Sequence, residues 1–232
     1  MKVGIMQPYF LPYIGYFQLI SSVDIFVVYD NIKYTKKGWI NRNRYLLNDK
    51  EAIFTIPLKN DSDYLDVAER RISSDFDRLK LVNRLKGAYA RAPHYAPTIS
   101  LVEQILNCTD DNLFKYIHNS IAEICRYLNI DTRIAVSSTA SIDHNLQGSE
   151  KVIALCKHFG ATTYINPIGG IDLYSRQDFA THGIKLNFIK PSYFNYHQFG
   201  NDFVPWLSII DVLMFNPVNN VRTHIHSKYD LL

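Results

Sequence analysis

Apolar and polar positions along the chain change period several times. Residues 3–6 form a short apolar run closed by Gln7 and Pro8, and residues 24–29 form a β-branched and aromatic run closed by Asp30 and Asn31. Both read as buried strands. Residues 13–22 leave room for one short helix between them. A strand, a helix and a second strand in so little chain open a βαβ unit, with parallel strands and a right-handed crossover.

Residues 52–57 alternate loosely and predict another strand, with Pro57 placing its far end at an edge or a turn. Phe76, Leu79, Leu81, Val82 and Leu85 then recur at helical spacing and mark a helix over residues 75–89. Residues 98–106 continue helically past Pro93 and Pro97, and residues 111–128 predict a long amphipathic helix with Asp110 as its N-cap. Alternation resumes with strands at 133–137, 163–165 and 185–189. The helices between and after them fall at 149–159, stopped by Gly160, at 176–181, and near 205–214.

This order predicts one domain over residues 1–232. It is an α/β fold with a mostly parallel, doubly-wound, Rossmann-like sheet and an inserted helical subdomain at roughly residues 75–130. No repeat, low-complexity run or composition break divides it. Ligands of such sheets bind at the carboxyl ends of the strands near the switch point, which directs attention to residues 7–15, 30–37, 137–141 and 166–170.

Composition narrows the partners. With 47% hydrophobic and 20% charged residues, the chain can bury a core without disulfides or a structural metal. A net charge of +3, with no basic run longer than Lys36-Lys37 or Arg70-Arg71, argues against general nucleic-acid binding. Residues 33–44 nevertheless hold five basic side chains and no acidic one, which suits either a phosphate-bearing ligand or a solvated loop. Cys108, Cys125 and Cys156 lie far apart and read as small buried hydrophobes. The histidines are scattered, and the one close pair, His224 and His226, falls near an end expected to be mobile, so no metal site is expected. Neither a signal peptide nor a run of about 18 apolar residues is present, so a cytoplasmic protein without membrane insertion is expected.

Several segments carry candidate chemistry. Gln7 to Tyr16 lies between the first strand and the first helix, where free N–H groups favour an anion. The stretch from Asp30 through Lys33, Lys37, Trp39, Asn41 and Arg42 to Arg44 gathers a carboxylate, amides, cations and an indole just past a strand end. Tyrosines such as Tyr9 and Tyr13 offer an apolar body and a polar tip to a sugar or base, or simply fill the core. Asn166-Pro167-Ile168-Gly169-Gly170 ends a strand, and its glycines would allow close backbone approach to a ligand, a positive φ, or a plain tight turn. Tyr174 follows closely enough to touch the same ligand. Asp211 sits in an apolar helix beside Trp206 and Ser208, so burial would require a partner: a basic residue of the 33–44 loop, or another structural ion pair.

Residues 9–20 resemble the first motif of cytidylyltransferase-type nucleotidyltransferases, with Gly15 on the motif glycine and Tyr13 and Tyr16 where its histidines stand. Replacing both histidines removes the groups that steady the phosphorus in that family. Over the whole chain, the segments 6–17, 30–44, 55–59, 160–170 and 203–211 are together similar to the WbqC-like family of bacterial surface-polysaccharide clusters. That resemblance implies a role in building O-antigen or capsule sugars. Acyl or aminoacyl transfer to a nucleotide-linked amino sugar is the reaction inferred from it, with no cofactor required and the acyl donor left open.

Such a transfer needs a base, donors for an oxyanion and cations for a pyrophosphate. Asp30, Asn41 and Tyr16 are the catalytic candidates. Gln7, Tyr9, Tyr13, Lys33, Lys37, Trp39, Arg42, Asn166, Gly169 and Tyr174 are the substrate-binding candidates. The alternatives are a degenerate nucleotidyltransferase and a non-catalytic nucleotide-sugar-binding or scaffold protein. Mg²⁺ brought by a nucleotide sugar and a homo-oligomeric state stay open.

Overall fold

A computed structural model describes residues 1–200 and 202–232. At its centre lies a six-stranded sheet built from β1 (Lys2–Met6), β2 (Ile25–Val28), β5 (Arg133–Val136), β6 (Thr163–Pro167), β7 (Lys185–Pro191) and β8 (Tyr229–Leu231). The strands run in the order β5-β2-β1-β6-β7-β8, and all neighbouring pairs are parallel except β7 and β8. The order therefore reverses at the β1–β6 seam, where Gly4 pairs with Phe26 on one side and Ile165 on the other.

The apolar runs become strands because both sheet faces are covered. In β2, Phe26 and Val28 enter the core on one face, while Ile25 and Val27 enter the core on the other. Helix α1 (Ile14–Ser21) lies on the first face. Its close approach uses the missing side chain of Gly4, where a Cβ would stand 3.3 Å from Leu19. Helices α5 (Gly148–His158) and α6 (Arg176–Ala180) cover the opposite face through Val152, Leu155 and Phe179. The fold is thus α/β with a largely parallel central sheet.

A long excursion separates β2 from its neighbour β5. It contains the antiparallel hairpin of β3 (Arg42–Leu47) and β4 (Lys50–Thr55), then α2 (Arg78–Tyr89), α3 (Tyr95–Leu106) and α4 (Leu113–Tyr127). Asn48 and Asp49 both take positive φ at the hairpin turn, as a two-residue turn matched to strand twist requires. The inserted helices pack Leu85, Val102, Ile117 and Ile121 into the same core as Phe17 and Phe26.

Several sequence expectations shift. The region after Trp39 is not loop as far as Arg44: Arg42 and Arg44 already belong to β3, pairing with Thr55 and Ile53. The N-cap of α4 is Asn112, whose side chain accepts from Lys115 N, while Asp110 holds the Asn112 N–H. Pro97 does not break α3; it occupies the first turn, where no intrahelical N–H is needed. Gly160 does end α5, with φ of 68°. The helix expected near 205–214 is α7 (Ile209–Phe215), and it is followed by α8 (Val218–Ser227) and β8. The C-terminal end is pinned rather than loose, because β8 pairs with β7 and the buried His224 stacks on Phe194 at 4.0 Å.

Asp211 is buried as expected, but among the described residues no cation pairs with it. Its carboxylate accepts from Tyr89 Oη at 2.8 Å, Tyr196 Oη at 2.7 Å and Gln198 Nε2 at 2.8 Å. Among the described residues no helix is long and apolar enough to cross a membrane.

Candidate functional site

A cleft of about 920 Å³ opens at the carboxyl ends of β1, β2 and β6, on the seam where the strand order reverses. Gln7 and Tyr9 reach it from the end of β1, Tyr29 and Asn31 from β2, and Asn166 from β6. Lys33 and Asp66, paired as an isolated bridge of the inserted segment, supply another wall. The segment before α5, with His144 and Gln147, supplies the last.

One buried carboxylate, next in sequence to the lining residue Asn31, stands behind this cleft. Asp30 accepts from Ser138 N at 2.9 Å, Ser137 Oγ at 2.8 Å and Ser138 Oγ at 2.6 Å, so both oxygens tie the end of β2 to the end of β5. Next to it, Asn31 Nδ2 lies 2.9 Å from His144 Nδ1, and His144 Nε2 lies 3.0 Å from the carbonyl of Ala140. With Asn31 donating to Nδ1, the ring carries its proton on Nε2 and donates it to that carbonyl. Both ring nitrogens are occupied, so His144 holds the loop rather than moving protons.

Lys151 is the unusual group. It stands in the first turn of α5, is 6% exposed, and lines the cleft. Its Nζ donates to the carbonyl of His144 at 3.1 Å and reaches that of Asn31 at 3.5 Å, with the Tyr29 ring centroid 5.3 Å away. Among the described residues it forms no ion pair. A buried ammonium held only by carbonyls and a ring face keeps its attraction for an incoming anion. The start of α5 adds to it, since Gln147 at the N-cap places no side chain on the free N–H groups.

Other titratable groups of the cleft are shifted by burial. The Asp66 carboxyl is raised, chiefly by desolvation and then by Glu69, with Lys151 acting the other way. Burial pushes the Tyr29 phenol up to about 12, so it is a neutral donor at physiological pH. The Tyr9 phenol is raised by burial as well.

Of the residues singled out in the sequence, Gln7, Tyr9, Lys33, Asn166, Gly169 and Tyr174 share this cleft. Asn166 is fixed there by a hydrogen bond from Tyr164 Oη at 3.0 Å. Gly169 and Gly170 lie inside a 3-10 segment, Ile168–Leu173, that kinks at Gly170, and neither takes a positive φ. Gly170 is favoured by crowding instead, because a Cβ there would fall 2.3 Å from Asn166 Nδ2 and displace that side chain from its hydrogen bonds.

The remaining residues lie elsewhere. Tyr16 is buried and donates its hydroxyl to the Gln7 carbonyl at 2.9 Å. Asn41 is buried, accepting from Tyr34 Oη and donating to the Ile56 carbonyl. Arg42 folds back on the carbonyls of Gly38 and Lys37, and exposed Lys37 stays outside the cleft. Tyr13 and Trp39 line a separate small pocket, which Tyr9 shares. Tyr29, Asp66, His144 and Lys151 were not singled out in the sequence. For Lys151 a signal exists: it precedes Leu155 by four residues and so falls on the buried stripe of an amphipathic helix.

An α/β protein with a largely parallel sheet, and with a polar cleft over a buried cation at its carboxyl edge, is the class that fold and site define. Within that class, the chain belongs to the WbqC-like protein family, whose profile matches residues 7–223. It is also 31% identical, over 220 residues and 93% of each chain, to uncharacterized protein Rv1507c of Mycobacterium tuberculosis strain H37Rv. No solved structure matches it.

Proposed function

We propose that the protein is an enzyme of surface-polysaccharide assembly that binds a nucleotide-linked amino sugar in the β1–β6 cleft and transfers an acyl or aminoacyl group to its amine. The observation that carries this reading is Lys151, a buried ammonium that forms no ion pair among the described residues, set in the first turn of an uncapped helix on the cleft wall. A diphosphate supplies the missing negative charge. The reversal of strand order at β1–β6 corresponds to the switch point of a doubly-wound sheet, where such ligands bind. Family membership supports the O-antigen and capsule setting.

In this reading Lys151 and Lys33 hold the diphosphate, and their positive charge favours the neutral form of a nearby sugar amine. That amine attacks the carbonyl carbon of an activated acyl donor. A C–N bond forms, the bond to the donor's leaving group breaks with its electron pair, and the amine proton passes to Asp66. Asp66 suits this role better than Asp30, whose two oxygens are both engaged by serines. Tyr16 does not take the place of a phosphate-contacting histidine, because its hydroxyl is buried against Gln7.

The test is calorimetric titration with UDP- and dTDP-linked amino sugars and their N-acylated forms, on the wild type and on Lys151→Met. Binding by an amino-sugar nucleotide that Lys151→Met abolishes is the expected result. Absence of binding across the panel, or binding indifferent to Lys151, overturns the reading.

A further inference from the structure

The two tryptophans of this chain, Trp39 and Trp206, come from distant segments yet line one pocket of about 210 Å³ together with Tyr9, Tyr13 and Arg44. Three segments are knitted to form it. Asn43 Nδ2 and Ser208 Oγ both donate to the Leu11 carbonyl, at 2.8 and 2.7 Å. Ser208 N donates to the Arg44 carbonyl and Ile209 N to that of Pro12, each at 2.9 Å. Loop 9–13, strand β3 and the segment before α7 are thereby locked in register.

That lock holds two unfavourable backbone conformations. Leu11 has φ of 48° and Trp206 has φ of 61°, a region in which bulky side chains are rare. Trp206 is nevertheless 57% exposed, so its strain is not offset by burying the indole. A strained residue that displays a large ring to solvent, in a pocket fixed by buried hydrogen bonds, is placed for contact with something outside the chain. Arg44 adds a polar element. Its guanidinium lies 4.4 Å from the Trp39 ring centroid, its Nη1 pairs with Glu51, and its Nε is shielded from solvent with no acceptor.

The chemistry of the walls selects the ligand. Ring faces provide most of the surface, an apolar one, while the phenols of Tyr9 and Tyr13 and the indole N–H groups of Trp39 and Trp206 are the polar tips that the lining rings carry at their rims. An acyl chain would leave those tips without partners. A flat nucleobase needs near-parallel walls, but the Tyr13 and Trp206 planes meet at 58° with centroids 5.2 Å apart. A chair-shaped ring, with C–H groups on its faces and hydroxyls at its rim, matches both the tilt and the mixed polarity. We infer that this pocket is a subsite for a pyranose ring. Tyr9 also lines the large cleft, so the subsite adjoins it; assigning this pyranose to the sugar ring of the nucleotide-linked amino sugar rests on the proposed function.

Because the chain has no tryptophan outside the pocket, tryptophan emission excited at the red edge, beyond tyrosine absorption, reads the pocket alone. The full-length protein is titrated with methyl glycosides of glucose, galactose, mannose and N-acetylglucosamine, with uridine and adenosine, and with hexanoate. The expected result is a saturable change in emission with a glycoside, at a Kd on the order of 1 mM. It should weaken at least tenfold in Trp206→Gly, which keeps the positive φ and therefore the fold. The response should persist in Lys151→Met. A response to nucleosides or hexanoate alone, no response to any probe, or loss of the glycoside response in Lys151→Met each overturns the subsite. Loss of nucleotide-sugar binding with the glycoside response intact overturns only the reading of the large cleft.

Discussion

A single phenol joins Asp211 to the hairpin: the hydroxyl of Tyr89 donates to Oδ1 of Asp211 at 2.8 Å and accepts from the N–H of Leu46 at 2.9 Å. Helix α2, helix α7 and strand β3 thus meet at one oxygen atom. Tyr89→Phe keeps the ring but leaves a buried carboxylate oxygen and a buried amide each short of a partner. A loss of about 2–4 kcal/mol is expected in urea unfolding. A change below about 0.5 kcal/mol would show that solvent takes over the role of the hydroxyl.

Asp211 also makes stability depend on pH. Burial raises its carboxyl from 3.8 to about 6, against the opposing effect of its three donors. Folding therefore favours the protonated form. Its contribution to stability is complete below about pH 3.8, declines as pH rises through about 6, and is lost above that. Asp211→Asn cannot titrate, so the urea midpoint of the variant should vary less with pH than that of the wild type across this window. Parallel profiles for the two proteins would exclude Asp211 as the source.

Lys151→Met separates binding from stability. The substitution removes an unpaired buried charge and also two hydrogen bonds to carbonyls, so unliganded stability should stay within about 1 kcal/mol of wild type. A nucleotide sugar at about 100 times its Kd should add about 2.7 kcal/mol to the wild type and nothing to the variant. The pair of melting curves, with and without ligand, reads both effects. A ligand-induced shift that survives in the variant would exclude Lys151 from the binding site.

Asp30 provides a contrast with Asp66. As the clasp between β2 and β5, Asp30→Asn should cost about 2 kcal/mol or more by mismatching the donors of Ser137 and Ser138. Asp66→Asn, at a half-buried N-cap position that asparagine fills equally well, should leave the melting temperature nearly unchanged while removing the proposed acyl transfer. A stable but inactive Asp30→Asn protein would transfer the catalytic role to Asp30.

The two adjacent glycines should behave differently. Gly170→Ala brings a Cβ to 2.3 Å from Asn166 Nδ2 and should cost about 1–3 kcal/mol, whereas Gly169→Ala meets open space and should cost less than about 0.5 kcal/mol. Chemical denaturation of both variants makes the comparison.

The βα alternation was legible because apolar runs such as those around Ile5 and Val27 are buried on both sheet faces, which leaves the periodicity little to compete with. Strand β3 was not, because Arg42 and Arg44 alternate with buried Asn43 and Tyr45, so its inward positions carry a polar residue as well as a ring. The strand-end rule located Gln7, Asn166 and Gly169, whose positions follow from topology. It could not locate Lys151 or Asp66, which lie away from any strand end: Lys151 is marked only by its place on the buried stripe of α5, and Asp66 looks like a surface aspartate until the excursion is folded against the sheet. Asp30 and Asn41 looked chemical in sequence for the reason that makes them structural: a buried polar side chain gathers its own partners.

The position of β1 has a consequence for how the molecule is made. Its neighbours are β2, synthesised at once, and β6, which begins at Thr163. At about 5–20 residues per second, the β6-facing edge of β1 stays open for roughly 10–30 s of translation. During that interval Val3 and Ile5 lack the cover of α5, and the half-formed sheet offers an apolar edge to any other nascent chain. The seam that carries the cleft thus closes long after its first strand is made, and a chain halted before β6 would keep the aromatic pocket's first wall but lack the β6 wall of the cleft.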